Sequence, residues 1–232
     1  MSYPEPVTLL FGRVDAVKWK FQPLQNRITE GLIRVLSVAV SGHALYVLAG
    51  WVFWGEALPL PGLSEGLRML GTTAICFALL GVVLICQDVR STLDRILFTV
   101  GVFWVLFTAS VRLFLMAVAP NINLDHLLAL GGDGHHMTVG TSLGLVMVAL
   151  SIVLNTYGQK GWSLAGRVIS RFNTIVVVSA FYFVMTGQRP ILMAWVFEDM
   201  PLMTYISFVM ICITVCLSLS QPGYGSRRDR LA

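Results

Sequence analysis

Six apolar stretches occupy well over half of the 232 residues of this chain. They cover residues 33–54, 67–87, 96–118, 137–157, 169–187 and 203–220. A transmembrane helix needs about 20 mainly apolar residues, because each residue adds about 1.5 Å across a hydrocarbon core of about 30 Å. The pattern predicts an all-α polytopic membrane protein, a bundle of six transmembrane helices built as three hairpins.

The composition agrees with this prediction. Hydrophobic residues make up 56% of the chain and charged residues 12%, against about 25% charged in an average soluble domain. A chain of this length has too few polar residues to surround six apolar helices with a soluble shell. The first 30 residues carry several basic side chains and no cleavable signal pattern, so we expect the first apolar stretch to be retained.

The basic residues predict the orientation. If all six stretches cross the membrane, thirteen of the sixteen Lys and Arg residues lie on the same side as the amino terminus. Cytoplasmic loops of membrane proteins carry such an excess. We therefore expect both termini in the cytoplasm and the chain in a bacterial inner membrane. The predicted segments are a cytoplasmic or interfacial amphipathic segment (1–30), a six-helix transmembrane domain (31–220) and a short basic tail (221–232).

The segment before the first stretch has an amphipathic pattern. Leu10, Val14, Val17 and Phe21 recur at helical spacing, and Pro23 is expected to end any helix there. A basic amphipathic helix can lie in the headgroup layer of a membrane. Packing on cytoplasmic loops or on a partner explains the pattern equally well.

The second and fourth stretches begin alike, with Met, then Thr four residues later, then a small residue. The residues are Met69, Thr73 and Ala74 in the second stretch and Met137, Thr141 and Ser142 in the fourth. The echo is explained either by duplication of a helical hairpin or by chance, since Thr and small residues are common in membrane helices. The third predicted hairpin does not show it clearly.

This motif, placed after an outer loop and before an apolar run, resembles the amino-terminal membrane regions of some bacterial sensor kinases and diguanylate cyclases. The similarity covers residues 33–157. It implies a sensor-like membrane module. The residues after the sixth stretch are too few for a kinase or cyclase domain, so the resemblance implies signalling through a partner protein.

His43 lies in the middle of the first stretch. A neutral imidazole inside a bilayer needs a hydrogen-bond partner or a metal. One interpretation is a hydrogen bond to a packed helix, helped by small Gly42 and Ala44. The other is a single axial bond to the magnesium of a chlorin or to a five-coordinate haem.

The outer loop before the fourth stretch concentrates three of the four histidines with two carboxylates, namely Asp125, His126, Asp133, His135 and His136. Imidazole and carboxylate are the ligand types that bind zinc or copper. The spacing matches no established metal motif. A solvated interfacial loop that docks a partner is the alternative.

Three further residues mark helix contacts. Arg112 lies inside the third stretch, where it either extends to the outer interface or pairs with an outer-loop carboxylate such as Asp125 or Asp133. Gly140 and Gly144 form a Gly-x-x-x-Gly motif, which allows close helix approach within the chain or with another subunit.

The sequence contains no phosphate-binding loop, dinucleotide fingerprint or catalytic Ser/His/Asp pattern. We therefore expect a non-enzymatic membrane subunit or sensor-like module in a larger complex. Its expected partners are membrane lipid and other membrane proteins, with no nucleic acid and no identified cofactor. The alternatives are a pigment- or haem-binding subunit of an electron-transfer or photosynthetic complex that uses His43, and a small-molecule or metal transporter.

Overall fold

The structure is a computed structural model that describes most of the chain. The described residues are 6–54, 69–86, 91–119, 122, 137–157, 160–188, 196–197 and 200–220, with residues 6–26 and 160 described in backbone only. Within these ranges the chain forms six α-helices and no strand. The helices are α1 (Pro6–Trp54), α2 (Gly71–Ile85), α3 (Thr92–Val118), α4 (Val139–Tyr157), α5 (Lys160–Thr186) and α6 (Leu202–Ser220).

Five of these helices are long and apolar enough to cross a membrane. The spanning segments are Arg27–Trp54, Thr92–Val118, Val139–Tyr157, Gly161–Thr186 and Leu202–Ser220. The prediction of an all-helical, multi-pass membrane protein is confirmed at this level. α2 differs from the prediction, because it has 15 residues and a length of about 22 Å. Its apolar run begins earlier than the helix, since Met69 and Leu70 are buried without being helical.

α1 is a single helix of 49 residues that continues through Pro23. The prediction that Pro23 ends the helix is wrong. Proline removes one backbone hydrogen bond and crowds the preceding turn. Helix propagation is nevertheless cooperative, so one missing bond does not end a helix that is long on both sides.

Besides α1, two helices begin several residues before their apolar stretches. α3 begins at Thr92 because Ser91 and Asp94 form a capping box, in which Asp94 N donates to Ser91 Oγ (3.1 Å) and Ser91 N donates to Asp94 Oδ2 (3.0 Å). α5 begins at Lys160, nine residues before its predicted start, and its first turns contain Arg167 and Arg171. Hydropathy detects only the apolar part of such a helix.

The six helices form two groups. α2, α4 and α6 contact one another and constitute the inner trio. Each remaining helix packs against two members of this trio: α1 against α2 and α6, α3 against α2 and α4, and α5 against α4 and α6. Burial follows the same division. In the most apolar segments of α4 and α6, 56% of the residues are buried, whereas in that of α5 only 22% are.

The core lies where the inner trio meets. Phe208 of α6 packs against Phe77 of α2, with ring centroids 5.8 Å apart, and against the backbone of Gly144 on α4. Leu80 and Ile211, about one turn further along, are also buried. One aromatic ring therefore connects all three inner helices near the middle of the bundle.

Candidate functional site

The three inner helices begin with the same buried pair of residues. In each, a methionine lies two residues before the first helical residue and a threonine lies four residues after that methionine. The pairs are Met69 and Thr73, Met137 and Thr141, and Met200 and Thr204, and all six side chains are buried. We call this end of the bundle the repeat end.

Sequence reasoning missed the third pair because it required a small residue after the threonine. Tyr205 occupies that position on α6, and its hydroxyl donates to the carbonyl oxygen of Phe197 at 3.2 Å. The signal was present in the sequence as Met200-x-x-x-Thr204 directly before an apolar run. The shared register of the three pairs supports the interpretation of the echo as an internal repeat.

Polar side chains from the outer helices bind the backbone at the repeat end. Trp51 of α1 donates its indole N–H to the carbonyl oxygen of Met69 at 3.2 Å. Arg112 of α3 donates Nε–H to the carbonyl oxygen of Met137 at 3.3 Å. The carbonyl groups of Met69 and Met137 precede their helices, so they do not accept helical backbone bonds and need other partners. The two side-chain bonds supply these partners and hold the segments that lead into α2 and α4 in place.

Arg112 is 2% exposed, so its guanidinium is enclosed by protein groups rather than extended to the surface. Besides Met137 it contacts Ile122, whose carbonyl oxygen accepts from Nη1 at 3.2 Å. Asp125 and Asp133, the carboxylates proposed as its partners, lie outside the described residues. The guanidinium connects α3 to two separate backbone segments near the repeat end.

The histidine-rich outer loop also lies outside the described residues. Asp125, His126, Asp133, His135 and His136 therefore remain sequence-based candidates for a metal site. Among the residues that the structure describes, no group of three or more His, Cys, Asp or Glu side chains has the arrangement of a metal site.

His43 is half-buried and lies between α1 and α6. Its Nδ1 atom is 2.9 Å from the hydroxyl oxygen of Ser207. Ala44 is fully buried beside it, and Gly42 is exposed, with no neighbouring heavy atom within 4 Å of a Cβ built there. The imidazole thus has a helix-packing hydrogen bond. Axial ligation, the other interpretation, would use the second ring nitrogen, since Nδ1 is engaged.

We expect His43→Ala and Ser207→Ala each to lower the free energy of unfolding, because each removes one interhelical hydrogen bond. Such bonds average about 0.6 kcal/mol in membrane bundles, with a maximum near 1.7 kcal/mol. A double-mutant cycle measured by denaturant unfolding in detergent should give a coupling energy of this size. Strictly additive effects of the two substitutions would show that the contact contributes nothing.

Gly140 and Gly144 pack inside the chain. A Cβ at Gly140 would lie 2.6 Å from both Phe197 Cδ1 and Val196 O, and a Cβ at Gly144 would overlap the ring of Phe208. The motif therefore permits the close approach of α4 to α6 and to the segment before α6.

Polar side chains of α5 hold this helix against the inner trio. The side-chain Nδ2 of Asn173 donates to the carbonyl oxygen of Gly144 at 3.3 Å and lies 3.5 Å from Cys212 Sγ. The hydroxyl of the next residue, Thr174, donates to the carbonyl oxygen of Cys212 at 3.2 Å. Sequence reasoning overlooked Asn173. The signal was an amide inside an apolar stretch, which requires a partner within the protein.

The sequence candidates that the structure describes do not come together in one site. His43 lies at the contact of α1 and α6, whereas Arg112 lies between α3 and the segment before α4. Gly144 lies in the core, where it contacts Phe208 of α6 and accepts a hydrogen bond from Asn173 of α5. Comparison with known proteins gives no relative: no protein-family model, no curated protein and no solved structure matches the chain.

Proposed function

We propose that this chain is a non-enzymatic membrane module, either a sensor-like unit or a subunit of a larger complex, that acts through helix contacts with other membrane proteins. The observation that carries the proposal is the division of the bundle into a tightly packed inner trio and outer helices with large exposed apolar faces. The inner trio supplies the rigid frame. The outer helices supply the surface for contact with lipid and partners.

The proposal includes an architecture of three hairpins in a bacterial inner membrane with both termini in the cytoplasm. Its support is the distribution of charge. Five of the described arginines, Arg27, Arg34, Arg95, Arg167 and Arg171, lie toward the end of the bundle opposite the repeat end, which we call the basic end, whereas Arg112 lies near the repeat end. Cytoplasmic flanks carry this excess of positive charge.

α3 presents the most aromatic of the exposed faces. Six of its exposed residues recur at alternating spacings of four and three, namely Ile96, Val100, Phe103, Phe107, Ser110 and Phe114. We call this set the aromatic flank. Its opposite face, which includes Val105 and Ala109, is buried against α2 and α4. The glycines of α4 are buried within the chain, so they cannot serve as this outer contact surface.

The partner that the aromatic flank fits best is a single transmembrane helix. Alternating spacings of three and four are those of an interhelical seam. Phe103 and Phe107 stack with ring centroids 6.2 Å apart and an interplanar angle of 14°, which gives the flank a flat, rigid centre. Ser110, next to them, is a small residue that allows a second backbone to approach closely.

Photo-crosslinking in native membranes tests this proposal. With a benzophenone amino acid in place of Phe107, we expect a discrete protein adduct larger than the 25.5 kDa monomer. Ser110→Leu in the same chain should abolish the adduct, because it fills the point of closest approach.

Phe172 of α5 provides the control, since it is also an exposed phenylalanine on an outer helix. A benzophenone there should react with lipid and give no discrete protein adduct. Adducts with lipid alone at both positions would contradict the proposal. The mass of the adduct at position 107 distinguishes a second copy of this chain from a different partner.

A further inference from the structure

A cluster of buried polar atoms lies at the basic end, where α4 ends and α5 begins. Three of these atoms have no hydrogen-bond partner among the described residues: Asn155 Nδ2, Thr156 Oγ1 and Arg167 Nε. Asn155 is 4% exposed. A buried polar group without a partner is costly, and native structures normally supply one. We propose that this corner binds the phosphate group of an anionic membrane lipid.

The contacts of Asn155 orient its amide. Ser163, in the first turn of α5, donates its hydroxyl to Asn155 Oδ1 at 2.8 Å. The carbonyl side of the amide is thereby satisfied, and the NH2 side keeps its capacity to donate. The Ser163 bond also places this NH2 group beside the amino-terminal turn of α5.

Gly166 explains how α5 comes so close to α4 here. A Cβ at this position would lie 2.8 Å from the carbonyl oxygen of Ser151 and 3.2 Å from the backbone nitrogen of Asn155. Any larger residue would force the two helices apart. Arg167 directly follows this close contact on α5, and its Nε atom is buried.

The chemistry of this corner favours an anion. Asn155 Nδ2 and Arg167 Nε are donors, and Thr156 Oγ1 can also donate. The amino terminus of α5 adds the partial positive charge of a helix end. Neither α4 nor α5 contains an Asp or Glu residue. The two helices thus offer donors and positive charge without a counter-ion of their own.

The depth of the corner favours a lipid phosphate over an anion in bulk water. Trp162, in the first turn of α5, is 60% exposed, and Leu164 beside it is also exposed. Tryptophan is enriched at the headgroup level of membranes. A headgroup phosphate at this depth lies within reach of the first two turns of α5, which carry Arg167.

Binding to lipid nanodiscs tests the proposal with the full-length chain. Wild-type protein and variants are titrated with phosphatidylglycerol in phosphatidylcholine nanodiscs, and bound lipid is counted by native mass spectrometry. Arg167→Gln should weaken phosphatidylglycerol binding about tenfold, because a hydrogen bond to a charged group is lost. Arg167→Lys should weaken binding similarly, since lysine keeps the charge and lacks the Nε donor.

Arg171→Gln is the matched control, because it removes the same charge from an exposed position. The titrations are made at about 0.5 M salt, where general surface attraction is screened and buried contacts persist. Under these conditions Arg171→Gln should bind like wild type. Circular dichroism of each variant establishes that it is folded.

Three results would overturn the proposal. Equal binding by wild type, Arg167→Gln and Arg167→Lys would show that Arg167 holds no phosphate. An equal loss in Arg171→Gln would show that the attraction is unspecific. Titration with inorganic phosphate forms the third arm: saturable phosphate binding that depends on Arg167, together with no preference for phosphatidylglycerol, would overturn the assignment to lipid.

Discussion

Gly144→Leu is expected to abolish the native packing of the bundle. A side chain at position 144 would occupy the space of the Phe208 ring, which itself packs against Phe77. Because this ring connects all three inner helices, it cannot move without disturbing each of them. Overpacking a core costs about 1–3 kcal/mol and occasionally more. We expect a loss of about 3 kcal/mol or more in the free energy of unfolding, measured by denaturant titration in detergent.

Gly42→Leu is the matched control for this substitution. Gly42 is also a glycine inside a spanning helix, but nothing lies within 4 Å of a Cβ built there. The exposed leucine should therefore leave stability within about 0.5 kcal/mol of wild type. If the two variants proved equally stable, the close packing of Gly144 on Phe208 would be refuted.

Arg112→Leu is expected to have the second large effect. The substitution leaves the carbonyl oxygens of Met137 and Ile122 without their guanidinium donor. The Met137 carbonyl is buried, and losing the partner of a buried acceptor costs about 1–3 kcal/mol; the partly exposed Ile122 carbonyl adds less. We expect the free energy of unfolding to fall by about 3 kcal/mol, measured by thermal and denaturant unfolding in the same detergent.

The Arg112→Lys variant tests whether the positive charge or the arrangement of the guanidinium donors stabilises the protein. Lysine keeps the positive charge but lacks the planar arrangement of donors that reaches two carbonyls at once. Its cost should be intermediate between those of wild type and Arg112→Leu. Arg34→Leu, at an exposed position near the other end of the bundle, should change stability far less. Wild-type stability in Arg112→Leu would show that the guanidinium bonds are dispensable.

The sequence predicted the positions of the helices well, because hydropathy and helix caps depend only on residues close together in the chain. Hydropathy located all six helices, because the requirement for apolar residues in a bilayer acts on each segment separately. The extension of α3 to Thr92 was also predictable, since Ser91 and Asp94 form a capping box visible in the sequence. The continuation of α1 through Pro23 was not, because a local rule for proline cannot weigh the length of helix on either side.

The candidate site was predicted less well, for a physical reason. α2 is apolar on every side, so its sequence does not mark the face that packs inward. The Met–Thr pair of α6 was missed because Tyr205 replaces a small residue, although the spacing from Met200 to Thr204 is the same, and burial supports the equivalence of Met200 and Met69. The sequence marked Asn173 as an amide inside an apolar stretch, but only the structure shows that its partner is the Gly144 carbonyl on α4.

The sequence by itself determined that this protein consists of membrane helices with basic residues gathered at one end, because hydropathy and charge are properties of each segment alone. Only the tertiary structure decided which helices form the inner trio, that Gly144 contacts Phe208, and that the Asn155 Nδ2 and Arg167 Nε atoms are buried without a hydrogen-bond partner among the described residues. These features arise from contacts between residues distant in sequence. In helices that are apolar on most faces, side-chain shape rather than polarity selects those contacts.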